Sequence, residues 1–103
     1  METNIIILAK DNLKDLFYLK KFKNVKEAIK YGEQITRQYK GYIIAYVEEK
    51  KTSHRWEIDV FEHIKEDTIC STLIVNSKKS AKLVAERLKE YDDTLRIYIN
   101  KIY

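Results

Sequence analysis

Residues 4–9, NIIILA, form an unbroken apolar run of strand length, and Lys10, Asp11 and Asn12 behind it make a turn-like cluster. Residues 16–22 then suit a returning strand, with Phe17, Leu19 and Lys21 on one face. Leu13, Leu16 and Phe17 also have the spacing of a short helix over 13–20. Asn24 is placed to cap a helix, and Glu27 is placed to return a hydrogen bond to the cap. Val25, Ala28, Ile29, Gly32, Ile35 and Tyr39 recur at three- and four-residue spacing, with Lys26, Glu27, Lys30, Glu33, Gln34 and Arg37 on the other side. Gly41 marks the helix stop. Residues 42–47 are β-branched and aromatic, hence a strand.

The second half repeats the plan. Trp56, Ile58 and Val60 alternate with Glu57 and Asp59, the signature of a half-buried strand. Residues 65–67 read as a hairpin loop and 69–75 as the return. Asn76 or Ser77 caps a helix whose stripe is Ala81, Val84, Ala85, Leu88 and Tyr91. After Asp92 and Asp93, Leu95, Ile97 and Ile99 alternate into a last strand. A slide of 52 residues lays Ile6 on Ile58, Asp15 on Asp67, Asn24 on Asn76, Lys26 on Lys78, Lys30 on Lys82, Tyr39 on Tyr91 and Tyr46 on Tyr98. The expected fold is therefore α+β: two ββαβ halves (1–51 and 53–103) forming one mainly antiparallel sheet of about six strands, with two helices on one face. At 103 residues this is a single domain.

Composition narrows the chemistry. One cysteine, Cys70, gives no intramolecular disulfide, and in mid-strand it reads as a small buried hydrophobe. With that cysteine and two histidines, His54 and His63, no four-ligand zinc spacing exists. Only two glycines are present, so no phosphate-cradling loop is expected. Glu57 and Asp59 share a strand face, and Glu48, Glu49 and Lys50 end a hydrophobic strand as Glu-x-Lys does in many metal-dependent nucleases. No upstream acidic partner accompanies them, and a solvated face is the simpler reading. No catalytic residue, metal or cofactor is expected. The apolar run at the amino terminus is too short for a leader or a membrane span, which points to the cytoplasm and away from a membrane partner.

The net charge is +4, and residues 10–30 hold seven lysines against three acids, a balance that attracts nucleic acid or acidic protein. Lysine outnumbers arginine 16 to 4, however, and isoleucine, asparagine and tyrosine are plentiful; an AT-rich genome yields that mixture without selection for binding.

The stretch SKKSAK (77–82) resembles the start of the last helix in double-stranded-RNA-binding domains. Residues 24–91 give that family's order of helix, three strands and helix. The resemblance implies phosphate contacts by Lys78, Lys79 and Lys82. The same grammar is similar to the arm-binding domain of tyrosine recombinases, which contacts DNA. Phe22, Asn24 and Ala28 match the step that opens the helix in the cell-wall-binding repeat domain of bacterial division proteins.

The remaining signal is aromatic. If Ile43, Ala45 and Val47 face the core, Tyr42, Ile44 and Tyr46 face outward, as does Tyr98. The helix-free face of a single sheet would then show Tyr42, Tyr46, Tyr98 and Ile74 beside Glu57 and Asp59, a mixture suited to a protein interface or a homodimer. The expected function is a non-catalytic cytoplasmic protein that occupies a macromolecular partner. Short, motif-free, AT-rich chains are typical of phage and mobile-element accessory proteins, many of which inhibit a host protein. The alternative is a domain binding double-stranded RNA or DNA through Lys20, Lys21, Lys23, Lys78, Lys79 and Lys82.

Overall fold

Each central strand of the protein takes both of its neighbours from its own half of the chain. The computed structural model describes residues 3–11, 16–38, 40–62 and 69–103, the last stretch without the side chains of Ile69 and Cys70. In order these form β1 (Thr3–Asp11), β2 (Leu16–Phe22), α1 (Val25–Gln38), β3 (Tyr42–Lys50), β4 (Trp56–Phe61), β5 (Ile69–Val75), α2 (Lys78–Tyr91) and β6 (Arg96–Lys101). The class is α+β, and residues 16–22 form a strand, not part of a short helix. The expected single sheet of six strands is corrected to two sheets of three, ordered β2-β1-β3 and β5-β4-β6. In both, the central strand pairs antiparallel on each side. Hydrogen bonding on both edges of β1 and of β4 is thus met within each half, leaving neither an edge for the other sheet. The chain divides into two compact units, residues 1–51 and 52–103. Among the described residues no helix is long and apolar enough to cross a membrane. The expected turn around residue 12 and hairpin loop at 65–67 lie outside the described residues.

The two units share a plan, but their register is not the 52-residue slide. Pairing and helix starts place Ile5 opposite Phe22 where Trp56 is opposite Val75, and start α1 at Val25 where α2 starts at Lys78. Equivalent positions therefore lie 51 residues apart in the first strand and 53 apart in the second strand and helix. Asn24 corresponds to Ser77, not to Asn76. Tyr46, opposite Ile7, corresponds to Ile99, opposite Ile58, and not to Tyr98.

In the first unit Ile7, Ala9, Ala28 and Ile35 form a buried cluster, joined by Ile5, Tyr18, Phe22, Tyr31 and Ile43. Small residues on α1 let the helix approach β1 closely. The residues of β1 that point the other way, Asn4, Ile6 and Leu8, are buried too, as a near-continuous apolar strand requires. In the second unit, by contrast, β4 alternates: Ile58 and Val60 are wholly buried while Glu57 and Asp59 are half-buried. Ser80, Ala81, Val84 and Leu88 are the buried stripe of α2, and Lys78 at its start lies 5.9 Å from the Trp56 ring, which puts α2 on the Trp56–Ile58–Val60 face.

Both helices begin on a capped turn. The Asn24 side-chain oxygen accepts from the Lys26 amide at 2.8 Å, and Ser77 Oγ accepts from the Ser80 amide at 3.1 Å. Past α1, the left-handed residue is Lys40 (φ 51°), not Gly41. Gly41 is required for space instead: a Cβ there would meet the Lys10 carbonyl oxygen at 3.0 Å, and its amide donates to the Ile35 carbonyl.

Candidate functional site

Gly32 sits in the middle of α1, where glycine lowers stability by about 0.5–1 kcal/mol relative to alanine. The reason is Tyr46. A Cβ on residue 32 would run into the Tyr46 hydroxyl, with the ring's Cζ at 3.4 Å and Ile43 Cγ1 at 3.6 Å. The phenol of Tyr46 thus lies over the helix backbone, yet the residue remains 49% exposed. On the same flank of α1, one turn and two turns before Gly32, stand Ile29 and Val25, exposed at 47% and 55%. The opposite flank belongs to β2, since Tyr31 packs on Phe22 with ring centroids 5.2 Å apart. The sequence placed Val25 and Ile29 in the core stripe; among the described residues of that stripe only Ala28, Gly32 and Ile35 are buried.

The second unit provides an internal reference for this flank. The equivalents of Val25, Ile29, Gly32 and Tyr46 are Lys78, Lys82, Ala85 and Ile99. At the same places in the same plan the second unit has lysines where the first has exposed aliphatics, and an alanine–isoleucine pair where the first has glycine–tyrosine.

Tyr42 and Tyr46 were expected on one helix-free face; the structure separates them. Leu8 pairs with Ala45 and Ala9 with Ile43, which leaves Ile44 as the extra residue of a β-bulge. The extra residue reverses the alternation. Tyr46, opposite Ile7, faces α1. Tyr42, opposite Lys10, lies on the other side of the sheet, where Lys10 Nζ also stands 5.3 Å from the Phe17 ring centroid.

Glu57, Asp59 and Tyr98 are brought together, on the face of the second sheet that α2 does not cover. Asp59 is directly opposite Tyr98 and Thr72, and Glu57 opposite Ile74 and Asn100. Thr72 Oγ1 donates to Asp59 Oδ1 at 3.4 Å. Tyr98, 51% exposed, meets Phe61 edge-on at 5.6 Å. The five tyrosines and acids expected to form one patch thus belong to two sheets in two units.

The six candidate lysines also divide. Lys20 lies on the α1 side of β2, with Nζ 4.1 Å from the Tyr31 ring centroid. Lys21 points to the other side, where Nζ is 3.6 Å from the buried Glu49 carboxylate. Lys23 is exposed in the loop before α1. Lys78, Lys79 and Lys82 are exposed at the start of α2, whose first turn contains no acid. The helix, three strands and helix that resemble an RNA-binding domain are present in order, but β3 lies in one sheet and β4 and β5 in the other.

Near Lys20, burial among Tyr31 and its neighbours pushes the Tyr18 phenol up to about 12, with the Tyr31 hydroxyl adding to the effect. Glu48 is exposed on the α1 side of β3, and Glu49, beside it, points the other way. Among the described residues no group of three or more His, Cys, Asp or Glu is arranged to hold a metal ion. His54 is exposed in the loop before β4. His63 lies outside the described residues, as does the Cys70 side chain; the Cys70 backbone is the extra residue of a bulge in β5.

No family model, curated protein or solved structure matches the chain.

Proposed function

We propose that the protein is a non-catalytic binding module that acts by occupying the surface of a protein partner, and that the flank of α1 and β3 bearing Val25, Ile29 and Tyr46 is its contact surface. One observation carries this: α1 tolerates a mid-helix glycine so that a half-exposed tyrosine can lie over it, and the twin position in the second unit does without both. A stability loss that seats an exposed ring is explained by what the ring touches. Tyrosine is among the residues that dominate interface energetics once desolvated, and Ile29 beside it adds apolar area to bury. An inhibitor of a host protein would work this way, by occupancy alone.

The test is affinity capture from a nuclease-treated lysate of the producing cells, comparing the wild type with Tyr46→Ser and Ile29→Lys. Capture of a specific protein by the wild type and its loss in both variants, with circular dichroism unchanged, supports the reading. Equal capture by folded variants removes it.

The acid-free first turn of α2 favours a second reading. Lys78 and Lys79 oppose the positive end of the helix dipole, an arrangement that suits an anion. Nucleic-acid binding there predicts affinity that falls steeply with salt and weakens on replacing Lys78, Lys79 and Lys82. Absence of any gel shift with duplex RNA, duplex DNA or single strands at low salt ends this reading.

A further inference from the structure

The exposed aliphatics of α1 lie beside a basic crown. Lys26, Lys30 and Arg37 stand on the side of the helix opposite the buried Ala28, Gly32 and Ile35, and Glu33 lies between them and Ile29. All four are exposed. Residues 23–40 hold five bases against two acids, which is three of the chain's net +4. From the strand side Tyr46, Glu48 and Lys50 face the helix, one acid and one base, and Lys50 has an interaction of its own. The surplus on this flank therefore belongs to the helix, where among the described residues neither Lys26 nor Lys30 pairs with a carboxylate. The second unit does not combine the two features: Lys78 and Lys82 stand at the places of Val25 and Ile29, so α2 offers bases there without exposed aliphatics. The combination on α1 limits what can cover it. A phosphate backbone has little apolar surface to lay on Val25 and Ile29. A bilayer meets the outermost stripe first, and here that stripe is the charged one, with the aliphatics below it towards β3. A protein segment bearing apolar side chains and carboxylates meets both at once: the shelf loses water, and the lysines reach across to the acids.

We infer that the occupant of the α1/β3 flank is an acidic amphipathic segment of a partner protein, apolar where it lies on Val25, Ile29 and Tyr46 and carrying carboxylates towards Lys26 and Lys30. The inference rests on the α1/β3 reading and adds to it the chemistry of the partner. The same lysines repel a basic segment, so the crown excludes partners as well as attracting them. Being exposed, they act mainly on encounter rate and salt dependence, whereas the shelf supplies affinity that salt does not screen.

The experiment is fluorescence anisotropy on the full chain at low and physiological salt with labelled peptides: one of leucine and glutamate at amphipathic helical spacing, the same peptide with lysine for glutamate, and oligo-glutamate of the same length. The leucine–glutamate peptide should bind several-fold more tightly than oligo-glutamate, and the leucine–lysine peptide should not bind. Lys26→Glu with Lys30→Glu should weaken the leucine–glutamate peptide roughly tenfold at low salt, two exposed attractions having become repulsions, and should admit the leucine–lysine peptide. Ile29→Ser should weaken binding several-fold at both salt concentrations and leave the salt dependence as it is. Lys79→Glu with Lys82→Glu, the same charge change on exposed residues of α2, should leave binding unchanged. The inference is overturned if the leucine–glutamate peptide does not bind at low salt, if oligo-glutamate binds as tightly, or if the α2 variant weakens binding as much as the α1 variant. Lysate capture that depends on Ile29 and Tyr46, together with no peptide binding, overturns this inference alone and leaves the α1/β3 reading standing. Peptide binding that survives Ile29→Ser in a folded protein counts against both.

Discussion

Gly32 and Tyr46 form a unit at the residue scale, and their substitutions separate stability from binding. Gly32→Ala restores about 0.5–1 kcal/mol of helix propensity but drives the Tyr46 ring off the helix. Because the obstructing atom is the end of a side chain that can swing outward, denaturant unfolding should show stability held or raised while partner binding falls. Lys40 makes a different prediction. It holds a left-handed φ of 51°, a conformation that is unfavourable for a side-chain-bearing residue by about 1–2 kcal/mol, so Lys40→Gly should raise the unfolding midpoint. Tyr18 offers a titration. Its folded pKa of about 12 lies above the ordinary 10.0 because burial disfavours the phenolate. The protonated phenol's contribution to stability is therefore complete below pH 10 and is lost as the pH rises towards 12. An ultraviolet titration should show Tyr18 ionising late, and Tyr18→Phe should remove that late step.

At the scale of elements, the cap residues were legible in the sequence because a cap is a local device. Asn24 and Ser77 each satisfy an amide in their own first turn, and Ser77→Ala should lower stability by about 1 kcal/mol in a denaturant melt. Strand and helix order was legible for the same reason, since apolar periodicity within a segment fixes its type. Three things were not legible. The bulge at Ile44 depends on how β3 meets β1, and nothing in the sequence YIIAYV marks which residue is extra. Reading strict alternation through it placed Tyr46 on the wrong side of the sheet. The 52-residue identities at Ile6, Asn24, Lys26, Lys30 and Tyr46 lie one step out of the structural register, and they hid the comparison that isolates the candidate site: Val25 and Ile29 against Lys78 and Lys82. Finally, a helical stripe six residues long does not say which members lie under the sheet and which lie on its rim. Of the residues expected at an interface, Glu57, Asp59 and Tyr98 share one face because β4 and β6 alternate without a bulge between them.

At the scale of the whole molecule, there are two sheets and not one because the edge strands of each half pair only with their own central strand. This has a readout in hydrogen exchange. Amides of residues 5–10 in β1 and along β4 should be protected at every position, whereas β2, β3, β5 and β6 should show protection at alternate positions, since one edge of each is outside its sheet's ladder. Uniform protection along β3 and β6 would mean that strands pair beyond the two sheets. The doubled plan also provides the cleanest variant for function. Gly32→Ala with Tyr46→Ile gives the first unit the alanine–isoleucine pair the second unit already uses, so the fold has a working precedent for it. Capture from nuclease-treated lysate by this double variant is the most direct measurement. The proposed surface predicts a protein at least as stable as the wild type that no longer retains the partner; a stable double variant that retains the partner fully would contradict it.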